Sequence, residues 1–127
     1  MSDQYIPGSC NIGKSEIRQR QVVALIGLAL SVSSLVGFIT TSASQSVRLG
    51  IFLPLLVFSI GWVQSRKIFC LAYGFMGTFN FGRLGKVSRV ADKAAMAADR
   101  KTALAILLQS LGLAAALTLI VYLLPLN

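Results

Sequence analysis

Three apolar runs, at about 21–40, 47–64 and 102–124, carry no Asp, Glu, Lys, Arg or His in their interiors. At 1.5 Å per residue, a helix of roughly 20 such residues crosses a hydrocarbon core of about 30 Å. In lipid every backbone amide and carbonyl must be bonded within the segment, so runs of this kind fold as helices. The expected fold class is therefore all-α: an integral membrane protein with three transmembrane helices. The composition agrees, because 55% of the residues are hydrophobic and only 13% are charged, against roughly a quarter charged in a soluble domain.

The length of 127 residues allows one membrane domain. It divides into a polar N-terminal segment (1–14), span one (21–40), span two (47–64), an aromatic and basic segment (65–101) and span three (102–124). No cleavable signal is expected at the start, where Asp3, Pro7, Gly8 and Glu16 interrupt any apolar stretch. Ser15 reads as the N-cap of the first helix, with Glu16 in its first turn. The short loop between spans one and two makes them an antiparallel hairpin. Pro54 removes one backbone bond within span two and is expected to kink it. Trp62 sits where interfacial tryptophans sit.

Charge sets the expected orientation. Lys14, Arg18 and Arg20 precede span one, Arg48 alone separates spans one and two, eight basic residues separate spans two and three, and none follows span three. By the positive-inside rule the N-terminus and the 65–101 segment face the cytoplasm, in a cytoplasmic (inner) membrane, with the C-terminus outside. The net charge of +8 then points to anionic lipid rather than nucleic acid, because the basic residues flank apolar runs. Arg66, Lys67, Arg83, Lys86, Arg89 and Lys93 are the expected contacts to lipid headgroups or to a partner.

Between spans two and three, residues 68–82 are apolar but glycine-rich, and are expected to form an interfacial or partly re-entrant segment. Its aromatics, Phe69, Tyr73, Phe75, Phe79 and Phe81, are expected to face a partner. The alternative is that span two simply runs further. Residues 83–101 show apolar positions at helical spacing and are expected to form an amphipathic helix with a weak apolar face, better suited to packing on protein than to entering lipid. Small residues spaced by four mark expected helix-packing faces: Gly27 with Ser31, Ser33 with Gly37, and Gly112 with Ala116. Gln109 is the one strongly polar side chain of span three, and an amide there is expected to bond a neighbouring helix.

Residues 8–15 fit the phosphate-loop pattern G-x-x-x-x-G-K-[ST], in which backbone amides cradle phosphates, Lys14 meets the outer ones and Ser15 a magnesium ion. No strand precedes the motif and the following helix enters the bilayer, so it is read as a polar turn ahead of span one. Cys10 and Cys70, without histidine anywhere in the chain, make a poor metal site and are read as buried or neutral thiols, reduced in the cytoplasm. No catalytic residue, cofactor or metal is expected.

Asn11-Ile12-Gly13, followed by Glu16 and Arg20 ahead of a span, resembles the start of small inner-membrane domains of the rhodanese-associated type, whose pattern is N-x-G-x-x-[DE]-R-x-x-R-x-x-x-G. Ile17 and Ala24 depart from it. The resemblance implies a membrane domain and carries no catalytic residue. The functional expectation is a non-catalytic accessory or assembly subunit of a larger membrane complex, in contact with membrane lipids and with other membrane subunits or copies of itself. The alternative is a homo-oligomeric channel or small-solute carrier, lined by Ser31, Ser34 and Gln109.

Overall fold

The computed structural model describes residues 5–82 and 88–125. The fold is mostly helical. Helix α1 (Lys14–Thr41) leads through a short loop into α2 (Gln45–Arg48), a 3-10 turn (Leu49–Ile51) and α3 (Phe52–Lys67). A short helix, α4 (Leu71–Met76), a strand β1 (Thr78–Phe79), a strand β2 (Ser88–Arg89) and the long α5 (Lys93–Leu123) complete it. Three stretches, Lys14–Thr41, Gln45–Lys67 and Lys93–Leu123, are long and apolar enough to cross a membrane.

α3 lies between the other two long helices, with α1 along one side and α5 along the other. α1 and α3 approach closely because two glycines let them. A Cβ on Gly27 would stand 2.4 Å from the Phe58 amide nitrogen, and one on Gly61 would stand 2.7 Å from the Ala24 nitrogen and the Arg20 carbonyl oxygen. Ser31, one turn beyond Gly27, is buried and returns its hydroxyl to the Gly27 carbonyl at 2.7 Å. α5 packs through a different set than expected. Its buried face runs Ala95, Asp99, Ala103, Ile106, Ser110, Ala114, Thr118 and Val121, a stripe at helical spacing made chiefly of small residues.

Four expected packing residues lie elsewhere. Ser33 and Ala116 are exposed, and a Cβ on Gly37 or Gly112 would meet nothing within 4 Å. The small-residue spacing of four was present on two faces of α5, and the buried one is the face whose stripe continues unbroken through Ala103 and Ile106.

Pro54 falls in the first turn of α3, which directly follows the 3-10 turn Leu49–Ile51. Span two ends at Lys67. Ile68 then takes a left-handed conformation, φ 53°, which is costly for a β-branched residue, and the chain turns back on itself. Residues 68–82 therefore form a separate folded segment, not a continuation of the span: α4 packs on α5, and β1 pairs antiparallel with β2.

The amphipathic helix expected over 83–101 is not formed as such. Residues 83–87 lie outside the described residues, Ser88–Arg89 are strand, and helix begins only at Lys93. Asp92 caps it, its carboxylate accepting the Ala94 amide at 3.2 Å. From Lys93 to Lys101 this helix is the start of span three, with Ala95 and Asp99 buried. With 31 residues, α5 is roughly 46 Å long, about 16 Å more than a hydrocarbon core needs.

Candidate functional site

The N-terminal segment, the 68–82 segment and the start of α5 meet at one end of the helices and, with the end of α3, hold the buried polar residues Asn11, Glu16, Gln64, Asn80 and Asp99. At the first turn of α1, Glu16 is 2% exposed. One of its carboxylate oxygens lies 3.5 Å from the Arg20 guanidinium and the other accepts the Tyr73 hydroxyl. Arg20 also donates to the Cys70 sulfur at 2.9 Å, and its guanidinium carbon lies 6.0 Å from the centre of the Tyr73 ring. Burial first, and the hydrogen bond to Glu16 second, push the Tyr73 phenol up to about 12.

Asn11 joins the segments as a peptide group would. Its side-chain oxygen accepts the Cys70 amide at 2.7 Å and its side-chain nitrogen donates to the Cys70 carbonyl at 3.2 Å. Gln64 accepts the Leu71 amide at 2.9 Å, which satisfies a donor that the start of α4 leaves over. Ile12 and Asn80 pair as a parallel bridge, and Gly13 donates to the Asn80 carbonyl at 2.9 Å. Apolar contacts close the same unit: Ile12, Ile17 and Cys70 cluster with Ile68 and Tyr73, and Phe69, Ala103 and Ile106 with Val63 and Leu71.

A second polar group ties the N-terminal segment to α5. Asp99 is fully buried. It accepts the Tyr5 hydroxyl at 2.6 Å and the Gly8 amide at 2.7 Å, while Thr102 donates to the Gly8 carbonyl at 2.6 Å. Tyr5 stacks on Phe79 with ring centroids 4.8 Å apart. Burial and the bond to Asp99 raise the Tyr5 phenol well above the ordinary tyrosine range.

At the opposite end stands Arg48, 1% exposed and, among the described residues, paired with no carboxylate. It donates to the carbonyls of Ala43 at 3.2 Å, Tyr122 at 3.2 Å and Leu124 at 2.7 Å. A cation at the last turn of α5 meets carbonyls that have no intrahelical donor, where the helix dipole is negative.

The expected contact residues divide. Arg66, Lys67, Arg89 and Lys93 are exposed at the polar end, with the Arg66 guanidinium 5.5 Å from the centre of the Trp62 ring. Arg83 and Lys86 lie outside the described residues. Among the aromatics, Phe69 is fully buried in the core, so it holds α4 to α5 and does not face a partner. Tyr73 is committed to Glu16 and Phe79 to Tyr5, with Phe81 tilted against Phe79 at 6.1 Å. Phe75, beside Met76, is the aromatic of this set that stands open, at 40% exposed.

The phosphate-loop pattern is folded for another purpose. The amides of Gly8, Ser9, Cys10, Asn11 and Gly13 are bonded to Asp99, Ile6, Ile6, Ile68 and Asn80, so they do not converge on a phosphate. Gly13, not Ser15, occupies the N-cap position of α1. Both cysteines are buried and neither is in a disulfide. Among the described residues no group of three or more His, Cys, Asp or Glu is placed to hold a metal ion. Both oxygens of Glu16 and both of Asp99 already accept bonds from the protein, which suits a structural role better than proton transfer to a substrate. The Gln109 amide, expected to bond a neighbouring helix, finds no partner among the described residues.

Comparison with models of protein families, with curated proteins and with solved structures returns no match to this chain. The residues that carry the resemblance to rhodanese-associated domains, Asn11, Gly13, Glu16 and Arg20, all act in the polar end just described. Gln64, Asn80, Asp99 and Gly61 were not singled out by sequence, and Arg48 was read only as a loop charge. Asp99 left a signal: it sits four residues from Ala95 and from Ala103, on the small-residue stripe of α5.

Proposed function

We propose that this chain is a non-catalytic, three-span accessory or assembly subunit of a larger membrane complex. Its polar, basic end faces the cytoplasm of a cell bounded by the membrane it spans, and its C-terminus lies on the other side. The observation that supports this reading is the pair of small-residue positions, Gly37 on α1 and Gly112 on α5, where an added Cβ would meet nothing within 4 Å among the described residues. Glycine costs helix stability, and in lipid its usual return is close approach of a second helix. α1 and α5 flank α3 on opposite sides, so each offers its own outer face to another membrane subunit. The likeness of the N-terminal residues to rhodanese-associated inner-membrane domains fits a protein whose chemistry, if any, is done by its neighbours.

The test is capture of neighbours in native membranes, with photocrosslinkers at Gly37, Gly112 and Phe75 and one at Leu53, which is exposed on α3, as the comparison. The expected outcome is a defined heterologous product from the first three positions. Recovery of a stable monomer alone, with no product at any position, overturns the proposal. Products between copies of this chain, together with solute flux in reconstituted vesicles, transfer it to the channel reading.

A further inference from the structure

The polar end contains a cavity of about 430 Å³ between the N-terminal segment, the end of α3 and the third to fifth turns of α5. That lies in the range of pockets that hold small ligands. Two amines, Lys67 and Lys101, stand at its rim, and Ser9 belongs to its wall. Along α5 its lining continues through Ala105 and Ile106 to Gln109, which is exposed. Neither lysine has an ion-pair partner among the described residues. The nearest acid on α5, Asp99, is fully buried and has both oxygens bonded to Tyr5 and Gly8.

We infer that this cavity is a discrete site for one anionic phospholipid, its phosphate between Lys67 and Lys101 and its glycerol over Ala105 and Ile106. The arrangement is graded as a lipid is graded. Cations stand at the outer rim, and aliphatic side chains form the floor. Two turns along α5 from Lys101, the exposed Gln109 amide can donate to an ester oxygen. A free phosphate shares the chemistry of the rim but gains nothing from the floor or from Gln109. Beyond the cavity, Leu104 and Leu108 are exposed on α5 and give the acyl chains a continuous path. The site requires only that this end face a leaflet with anionic lipid. It does not require the protein partner proposed above, so failure of one leaves the other standing.

The test is native mass spectrometry of the full chain released from mild detergent, after incubation with phosphatidylglycerol, phosphatidylcholine or inorganic phosphate. The expected result is one retained phosphatidylglycerol per chain. Affinity should fall on the order of tenfold or more in Lys67→Gln/Lys101→Gln and severalfold in Gln109→Leu. It should be kept in Lys67→Arg/Lys101→Arg and in Arg18→Gln, whose exposed guanidinium lies outside the cavity. Equal retention of phosphatidylcholine, or full binding by the glutamine pair, overturns the site. Displacement of the lipid by inorganic phosphate at matched concentration assigns the cavity to a free anion and overturns the lipid. Should the glutamine pair lose its helical signal, Gln109→Leu and the arginine pair decide: unchanged binding in the first or lost binding in the second sinks the proposal.

Discussion

The Tyr73 hydroxyl donates to the carboxylate of Glu16 across 57 residues of sequence, joining α4 to the first turn of the first span. The same carboxylate holds Arg20, and Arg20 holds the Cys70 sulfur. Removing the phenol leaves Glu16 with Arg20, so Tyr73→Phe should cost about 1 kcal/mol. Glu16→Ala strips both partners at once and leaves a largely enclosed guanidinium, and should cost about 3 kcal/mol. Thermal unfolding in detergent, followed by circular dichroism, should order the two variants in that way. A larger loss in Tyr73→Phe than in Glu16→Ala would place the stabilisation in the phenol rather than the carboxylate.

The ionisation of Tyr73 gives a separate reading of the same contact. Its folded pKa of about 12 stands above the ordinary value of 10.0. A raised value means the neutral phenol is the form that the fold prefers. The stability it contributes is whole below pH 10 and is lost as the pH rises through about 12. In a spectrophotometric titration of the folded protein, the tyrosinate signal assigned to Tyr73 by difference with Tyr73→Phe should appear near pH 12. In Glu16→Gln it should move down, because the anionic neighbour is gone, while burial keeps it above 10. No movement would show that burial alone sets it.

Gly27 and Gly61 should tolerate nothing larger. A methyl at either would lie within 3 Å of backbone on the facing helix, and backbone cannot rotate away as a side chain can. Gly27→Ala and Gly61→Ala should each lower stability by about 2 kcal/mol or more through forced separation of α1 and α3. Gly112→Ala meets open space and should raise helix stability in the isolated chain by up to about 1 kcal/mol. Unfolding midpoints of the three variants, measured side by side, check the contrast.

How much of this was legible beforehand follows from what periodicity can report. The three long helices announce themselves by length and lack of charge, and Lys67 ends the second nearly where the apolar run does. The spacing of Gly27 and Ser31 found a true contact because both lie on the only buried face of α1. The same rule picked Gly112 with Ala116 and missed the stripe through Ala103, since a spacing of four does not say which side of a helix is covered. The polar end was hidden for a different reason. Asn11 and Asp99 act by bonding groups far along the chain, and a polar residue outside a span reads as solvated until its partner is known. Arg48 was counted as a loop charge, and what distinguishes it is three carbonyls contributed by two separate chain segments.

Arg48 makes the most exacting prediction. It reaches Ala43, Tyr122 and Leu124 with donors spread over a planar fork, a geometry that lysine's single ammonium cannot copy. Arg48→Lys keeps the charge opposite the helix dipole and should retain part of the stability. Arg48→Ala leaves the Leu124 carbonyl without its side-chain donor and leaves Tyr122 only the Gln45 amide at 3.2 Å. It also opens a void the size of the buried side chain, and should cost about 3 kcal/mol. The loss should be local at first. Hydrogen exchange of the last turn of α5, around Val121 to Leu123, should quicken in Arg48→Ala by on the order of a hundredfold, while the amides of Asp99 to Ala103 at the other end keep their wild-type rates. If both ends of α5 quicken together, Arg48 secures the whole bundle rather than one helix terminus, and the local account of its role fails.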